Sequence, residues 1–157
     1  MSNNNEKYVK VAIAAASESI KQGGGPFGAI VIKDEKIVGR GMNSVTTNND
    51  PTAHAEVNAI RDACANLNTF NLKGCTLYAN CEPCPMCLSA IYWARIDNYY
   101  YAADGKDASE AGFDDSYIKE ELHKPIDMRS TKASQIMRDS ALEVFREWAE
   151  KTDKTEY

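Results

Sequence analysis

The hydrophobic positions of this chain change between helical and alternating spacing several times along its length. Residues 5–21 are rich in alanine, place apolar residues at helical spacing and end at QGGGP, which predicts a first helix. Two apolar runs around the polar stretch KDEK predict an antiparallel hairpin over residues 27–43. The same reasoning predicts helices at about residues 52–67 and 85–95 and short strands at residues 75–80 and 98–103.

The other segments are less regular. Residues 44–50 and the charged stretch 104–125 are expected to be loops, with one helical turn after Asp115, and residues 140–151 predict an amphipathic helix. The order helix, two strands, helix, strand, helix, strand predicts an α/β fold with helices packed on a mixed sheet. A chain of 157 residues suits a single domain with its own core.

Charge and hydropathy limit the classes of partner. The chain has 18 Lys and Arg residues against 23 Asp and Glu residues, so its formal charge of −5 disfavours nucleic acid as the main partner. The first ten residues are polar, and the apolar runs VAIAAA and FGAIVI are far shorter than a membrane helix. A cytoplasmic protein with reduced thiols and no membrane partner is therefore expected.

The cysteines indicate a metal site. Three of the five form the pattern C-x-x-C-x-x-C at Cys81, Cys84 and Cys87, which suits a metal better than a disulfide framework. The chain has two histidines as further candidate ligands. His123 lies in a charged segment and is expected to be a surface residue. His54 lies at the start of a predicted helix and is the better candidate.

Proline positions place the candidate ligands at helix ends. Pro85 is tolerated only at the start of a helix, so Cys84 should lie at the helix start and Cys87 in its first turn. Pro51 is expected to act in the same way and to place His54 and Glu56 near the start of the preceding helix. The positive end of a helix lowers the pKa of a thiol and favours a metal ligand there.

The role of Cys81 separates two kinds of metal site. If Cys81 were the fourth ligand, the site would be closed and structural. If His54, Cys84 and Cys87 were the only protein ligands, one position would stay open for water and chemistry. Cys81 ends a predicted strand and lies outside the helix that aligns the other two thiols, which favours the open site. Glu56 could then exchange protons with the water that the metal activates.

The motifs resemble those of a known superfamily. His-x-Glu followed by Pro-Cys-x-x-Cys is the signature of zinc-dependent nucleobase deaminases. GGPFGAIVIKD, TAHAEVNAI and CEPCPMCLSAIYWAR are similar to cytidine deaminase superfamily sequences. NDPTAHAE, YWAR, AGFDDS and the terminal tyrosine together resemble its bacterial guanine deaminase branch. The resemblance implies a three-layer fold with helices on both faces of a mixed sheet, and hydrolysis of guanine to xanthine and ammonia.

The same resemblance implies a role for each site residue. One Zn²⁺ per chain would be bound by His54, Cys84 and Cys87, with Glu56 as the proton shuttle and Asp115 as a second acid near the leaving amine. The residues implied to contact the purine base are Phe27, Asn43, Trp93 and Tyr157. The resemblance also implies a homodimer that exchanges C-terminal segments, about residues 105–157, so that Tyr157 closes the partner's site.

Simpler interpretations remain open at this stage. Phe27 and Trp93 suit a core position, Asn43 could bond loop backbone groups, Tyr157 could end a frayed tail, and only the resemblance selects Asp115 over Asp114. The alternative functions are a deaminase of guanosine or of a triazine such as ammeline, a tRNA adenosine deaminase, and a structural zinc domain with Cys81 as a ligand.

Overall fold

Four strands and seven α-helices form in the residues that the structure, a computed structural model, describes. These are residues 2–157, with side chains from Asn4 onward. The strands are β1 (Gly28–Lys33), β2 (Lys36–Met42), β3 (Thr76–Cys81) and β4 (Asn98–Ala103). The α-helices are α1 (Ser2–Lys21), α2 (Val45–Asn48), α3 (Ala55–Leu67), α4 (Pro85–Trp93), α5 (Gly105–Glu110), α6 (Ser116–His123) and α7 (Arg138–Glu150). A 3₁₀ turn covers Ile126–Met128.

The strands form one mixed sheet with helices on both faces. Their order is β2-β1-β3-β4; the β3–β4 pair is parallel and the other two pairs are antiparallel. Strand β1 is buried on both sides: Ala29 and Val31 join a core cluster with α3, whereas Ile30 and Ile32 join a cluster with Tyr8 of α1. The predicted three-layer α/β arrangement is confirmed.

Helix α3 lies unusually close to β2 because neither side carries bulky side chains at the contact. A Cβ atom on Gly41 would lie 2.0 Å from the backbone oxygen of Ala55, and one on Gly39 would lie 2.4 Å from that of Ala59. Ala55, Ala59 and Ala63 recur every four residues and form one small-residue face of α3, and all three are fully buried. The close contact fixes where the N-terminus of α3 can lie.

Polar side chains of α3 cap the outer edge of β2. Strand β2 is at one end of the sheet, so the backbone groups on its outer side have no strand partner. The three bonds are Asn58 Nδ2 to Met42 O (2.8 Å), Arg40 N to Asp62 Oδ2 (2.8 Å) and Asn66 Nδ2 to Val38 O (2.9 Å). The donor and acceptor side chains recur every four residues, so one side of α3 satisfies one sheet edge.

Helix α3 begins later than predicted. The side chain of Asp50 accepts hydrogen bonds from the backbone N–H and the hydroxyl of Thr52, at 2.8 and 2.7 Å. These bonds fold residues 50–52 into a turn that competes with the helix. His54 is therefore the N-cap residue and Ala55 the first helical one, so the prediction that Pro51 starts the helix was wrong.

Two helices lie in segments predicted to be loops. Helix α2 is a single turn, whereas α5 has a full capping box in which Asp104 accepts from the backbone of Asp107 and Asp107 accepts from that of Asp104. Asp in place of the usual Glu or Gln at the third helical position hid this signal. Helix α6 begins where one turn was expected after Asp115 and spans eight residues.

The chain divides into two compact units, of which the first ends at Asp115 and the second is Ser116–Tyr157. The sheet, α1 and α3 belong to the first unit, and α6 and α7 to the second. Among the described residues, no helix is long and apolar enough to cross a membrane.

The contact between α3 and β2 gives a prediction about stability. We expect Gly41→Ala to lower the free energy of unfolding by about 3 kcal/mol, because its Cβ would meet helix backbone that cannot move alone. Gly74→Ala is the control: unlike Gly41, Gly74 has a positive φ, of 86°, but it has open space around it, so we expect a loss of only about 1 kcal/mol, from backbone strain alone. Urea denaturation of both variants measures the difference, and equal losses would contradict the close-contact explanation.

Candidate metal centre and active site

Two helix N-termini bring the three candidate ligands together. His54 is the N-cap residue of α3, Cys84 is the N-cap residue of α4, and Cys87 lies in the first turn of α4. Pro85 occupies the first turn of α4, as its sequence position predicted. Backbone N–H groups at both helix ends favour negative charge on the sulfur atoms and on any anion bound with them.

The donor atoms have the spacing of a zinc site. His54 Nδ1 lies 3.5 Å from Cys84 Sγ and 3.4 Å from Cys87 Sγ, and the three donor atoms lie within 4.8 Å of one another. Zinc bonds of about 2.3 Å to sulfur and 2.0–2.1 Å to nitrogen, at a tetrahedral angle, would place these atoms about 3.5 Å apart. Two cysteines and one histidine therefore fit zinc in kind and in spacing.

The two thiols of this cluster share one proton when no metal is bound. The Cys87 thiol donates to Cys84, which together with His54 lowers the pKa of Cys84 to about 4. The same bond and burial raise the pKa of Cys87, so its proton is the one retained. The bond to Cys84 also raises the pKa of His54. Metal binding should therefore release protons, because all three ligands bind in their deprotonated forms.

Cys81 lies outside this cluster. The residue is 5% exposed, and its Sγ is 3.7 Å from the backbone oxygen of Asp104, to which the thiol donates. Burial raises the pKa of Cys81 to about 11, so the thiol stays protonated at neutral pH. Cys81, the last residue of β3, thus faces the start of α5, whereas Cys84 and Cys87 lie beside His54.

Glu56 lies beside the cluster without being a member of it. The residue is 6% exposed, and its Oε2 lies 3.3 Å from Cys87 Sγ, within hydrogen-bond distance of it. Burial is the main cause that raises the pKa of Glu56 above its ordinary value. A buried carboxyl with a raised pKa, next to a metal, is suited to accept a proton and to return it.

Phe27 and Asn43 lie next to each other at the same end of the β1–β2 hairpin. The Asn43 N–H donates to the backbone oxygen of Phe27 at 3.1 Å. Asn43 Oδ1 accepts from the N–H groups of Gly25 and Val45 at 3.2 and 3.3 Å, which fixes the orientation of its amide. Asn43 thus does bond loop backbone groups. Its Nδ2 donates no hydrogen bond to the residues that the structure describes.

Aromatic contact extends this group. The ring of Phe27 packs against the core cluster and meets the ring of Phe113 edge to face, with centroids 4.9 Å apart. Phe113 lies two residues before Asp115, which is half-buried. Phe113 was not among the predicted site residues, although its place in the motif AGFDDS was a signal.

Trp93 and Tyr157 are exposed in the single chain. Trp93 is the last residue of α4 and is 65% exposed, so the core position considered for it is wrong. Tyr157 ends the second unit and is 73% exposed.

The different positions of the cysteines give a prediction about metal content. We expect Cys81→Ser to retain about one zinc ion per chain, and Cys84→Ser to lose most of it, because a serine hydroxyl replaces a thiolate ligand only in the second case. Elemental analysis of the dialysed proteins measures the ratio. Loss of zinc from Cys81→Ser would instead support a closed, four-ligand structural site.

Most of the chain matches a known protein family. The family described as "Cytidine and deoxycytidylate deaminase zinc-binding region" matches residues 2–103, which include all three candidate ligands and Glu56. The guanine deaminase of Bacillus subtilis (strain 168) is 50% identical over 155 residues, which cover 98% of this chain and 99% of that protein. A tRNA-specific adenosine deaminase of Aquifex aeolicus is 44% identical over 98 residues, which cover 62% and 65% of the two chains.

The fold agrees with these sequence relationships. The X-ray structure of guanine deaminase from Bacillus subtilis superposes with a TM-score of 0.94 at 50% identity, covering 97% of this chain and 98% of that one. A family match over more than half of the chain and a relative of nearly equal length lead to the same assignment. The chain belongs to the zinc-binding cytidine and deoxycytidylate deaminase family.

Proposed function

We propose that this protein is a zinc-dependent guanine deaminase that hydrolyses guanine to xanthine and ammonia. The reaction type is supported by one observation above all, a buried carboxyl 3.3 Å from a sulfur of a three-donor metal cluster. The choice of guanine is supported by the similarity to a guanine deaminase over nearly the whole chain, including the second unit. Similarity to the tRNA adenosine deaminase extends over fewer residues.

In this proposal His54, Cys84 and Cys87 hold one zinc ion, and Cys81 has no part in binding it. A bound zinc ion supplies Lewis-acid activation of water, whose pKa it lowers to about 7. Because the three side chains supply three of the four ligands of a tetrahedral site, one position stays available for chemistry. The neighbouring helix N-termini favour the negative charge that develops there.

Glu56 carries the protons of the reaction. Its carboxylate accepts a proton as water adds to C2 of guanine, and it then donates a proton to a ring nitrogen. Glu56 next takes the remaining proton from the hydroxyl added at C2 and delivers it, directly or through Asp115, to the amino group, which leaves as ammonia as the C2–N bond breaks and the C2 carbonyl of xanthine forms. Burial and the raised pKa of Glu56 suit a group that must both gain and lose a proton near neutral pH.

Four further residues are proposed to hold the base. Phe27 offers an aromatic ring whose edge contact with Phe113 fixes its plane. Asn43 offers an Nδ2 donor, held by the two backbone bonds of its Oδ1, for an acceptor on the purine edge. Trp93 and Tyr157 offer exposed rings that would stack on the base or close over it.

The reaction and its proton shuttle are tested together. We expect the zinc-loaded protein to form xanthine and ammonia in equal amounts from guanine, and Glu56→Gln to retain zinc but lose at least about 10³-fold in kcat, since the amide cannot shuttle a proton. Chromatography of the product and elemental analysis of the zinc provide the two measurements. Full activity of Glu56→Gln would contradict this mechanism.

Other substrates distinguish the alternatives. Guanosine, ammeline, adenine and cytosine serve as controls, and turnover of any of them above that of guanine would move the assignment to that substrate. Tight tRNA binding with a steep salt dependence would favour the tRNA deaminase alternative, against which the formal charge of −5 argues. A protein that binds zinc but deaminates none of these would support a structural zinc domain.

We further propose a homodimer in which the second unit of each chain covers the partner. The unit Ser116–Tyr157 contains two helices, α6 and α7, but none of its residues is buried in the single chain. Its exposed apolar side chains include Ile136, Met137, Val144 and Phe145. Helices are stabilised mainly by packing of an apolar face, so this unit needs a surface, and a second copy of the chain supplies one. The proposed exchanged unit, Ser116–Tyr157, lies within the segment of about residues 105–157 that the sequence predicted to be exchanged. We also propose a cytoplasmic location, because the reducing cytoplasm keeps the proposed thiolate ligands from forming disulfides.

Mixed dimers test the exchange. Glu56→Gln and Tyr157→Ala are each expected to be nearly inactive alone, because each removes a group needed at every site. If the second units are exchanged, a dimer containing one chain of each kind has one intact site, combining Glu56 of one chain with Tyr157 of the other, and about half the wild-type activity. Differently tagged chains, co-expressed and purified through both tags, provide this dimer.

The same dimer separates the outcomes. If each chain completes its own site, the mixed dimer is no more active than the average of the two parent variants, and the exchange is wrong. A monomeric wild-type protein in sedimentation analysis would contradict the dimer itself. High activity of Tyr157→Ala alone would remove Tyr157 from the site.

A further inference from the structure

The side chain of Asn80 bonds to the backbone on both sides of Phe27. Its Oδ1 accepts from the Gly28 N–H at 2.9 Å, and its Nδ2 donates to the Pro26 oxygen at 2.9 Å. The amide thus uses both of its polar ends on the two peptide groups that flank one residue. Asn80 is half-buried, and both bonds join residues more than fifty positions apart in the chain.

These bonds continue the sheet where its backbone ladder ends. Strands β1 and β3 pair from Ile32↔Thr76 to Ala29↔Ala79, and Phe27 lies beyond the last pair. On the other side of Phe27, its oxygen accepts from the Asn43 N–H at 3.1 Å. The backbone at Phe27 is therefore held between an amide of β3 and the end of β2, although it belongs to neither strand.

Asn80 also lies next to the metal-binding part of the chain. It is the penultimate residue of β3, which ends at Cys81, and three residues separate Asn80 from Cys84. The bonds of Asn80 therefore tie Phe27 to the strand that leads directly to two of the proposed metal ligands. Without them, the backbone of Phe27 would be held by its own loop and by the end of β2, and its ring by packing against the core cluster and Phe113.

We propose that Asn80 is a positioning residue that sets the place of the Phe27 ring against the metal centre and thereby determines how tightly the purine base binds. The inference rests on the proposed function and on the proposed contact of Phe27 with the base. Asn80 itself touches neither base nor metal in this proposal. Its effect is transmitted through the peptide groups of Pro26 and Gly28.

The test is a set of variants of the full-length, zinc-loaded protein. Stacking on Phe27 is made in the ground state and in the transition state alike, so loss of its position should raise KM and leave kcat nearly unchanged. We expect Asn80→Ala to raise the KM for guanine, and the Kd for the product xanthine measured by calorimetry, by about tenfold, with kcat within threefold and zinc content unchanged. Asn80→Asp keeps the acceptor for Gly28 N but loses the donor to Pro26 O, and should act in the same direction.

Two controls make the test specific. Asn66→Ala removes a comparable bond, from an amide to the Val38 oxygen at 2.9 Å, at the far part of β2, and should leave KM within twofold. In the Phe27→Ala background, Asn80→Ala should have little further effect on KM, because Asn80 acts through the Phe27 ring, which that background lacks. If Asn80→Ala melts below the assay temperature, the same cycle is measured with Asn80→Asp.

The outcomes separate this inference from the proposed function. A wild-type protein that does not deaminate guanine overturns the proposed function. If the wild type is active, the positioning role is wrong when Asn80→Ala leaves KM unchanged or lowers the zinc content. It is also wrong when the increase in KM caused by Asn80→Ala is as large in the Phe27→Ala background as in the wild type. A KM increase that disappears in the Phe27→Ala background supports it.

Discussion

The close contact between α3 and β2 is the constraint on which the arrangement of the active-site residues depends. Gly39 and Gly41 remove side chains from the strand, and alanines remove them from the helix, so that helix backbone approaches strand backbone. At this distance the polar side of α3 reaches the edge of β2 and bonds it. The N-terminus of the same helix then falls where His54 and Glu56 meet the start of α4. The positions of His54 and Glu56 thus depend on glycines and alanines at the contact, which have little or no side chain.

The start of α4 completes the centre and explains why only two of three clustered cysteines belong to it. Cys84 and Cys87 are on one helix, at its N-cap and in its first turn, so their sulfur atoms converge. Cys81 is the last residue of a strand, and its side chain is directed toward Asp104. Equal spacing in the sequence does not produce equal geometry, because the backbone changes from strand to helix between Cys81 and Cys84. In the proposed zinc site, this change would leave one coordination position free of protein.

Local signals predicted much of the fold and the kind of metal site. The strand Asn98–Ala103 agrees with its predicted range, and Pro85 correctly indicated the start of a helix. The start of α3 was misplaced because a side-chain turn at Asp50 competes with a helix that Pro51 would otherwise begin. Helix α5 was missed because its capping box uses aspartate at the third position. Long-range bonds such as those of Asn80 could not be predicted, since nothing local to residue 80 indicates that the chain returns at residues 26–28.

The two units of the chain divide the proposed work between chemistry and substrate closure. The unit that ends at Asp115 contains the three proposed metal ligands, Glu56, the aromatic pair Phe27 and Phe113, and the buried hydrophobic core. The second unit has no buried residue and ends in Tyr157. In the proposed dimer, the segment that covers the substrate comes from the other chain and adds Tyr157 to the base contacts of the first unit. A site completed in this way binds a small flat base only when two chains are assembled, so assembly and substrate binding are thermodynamically linked.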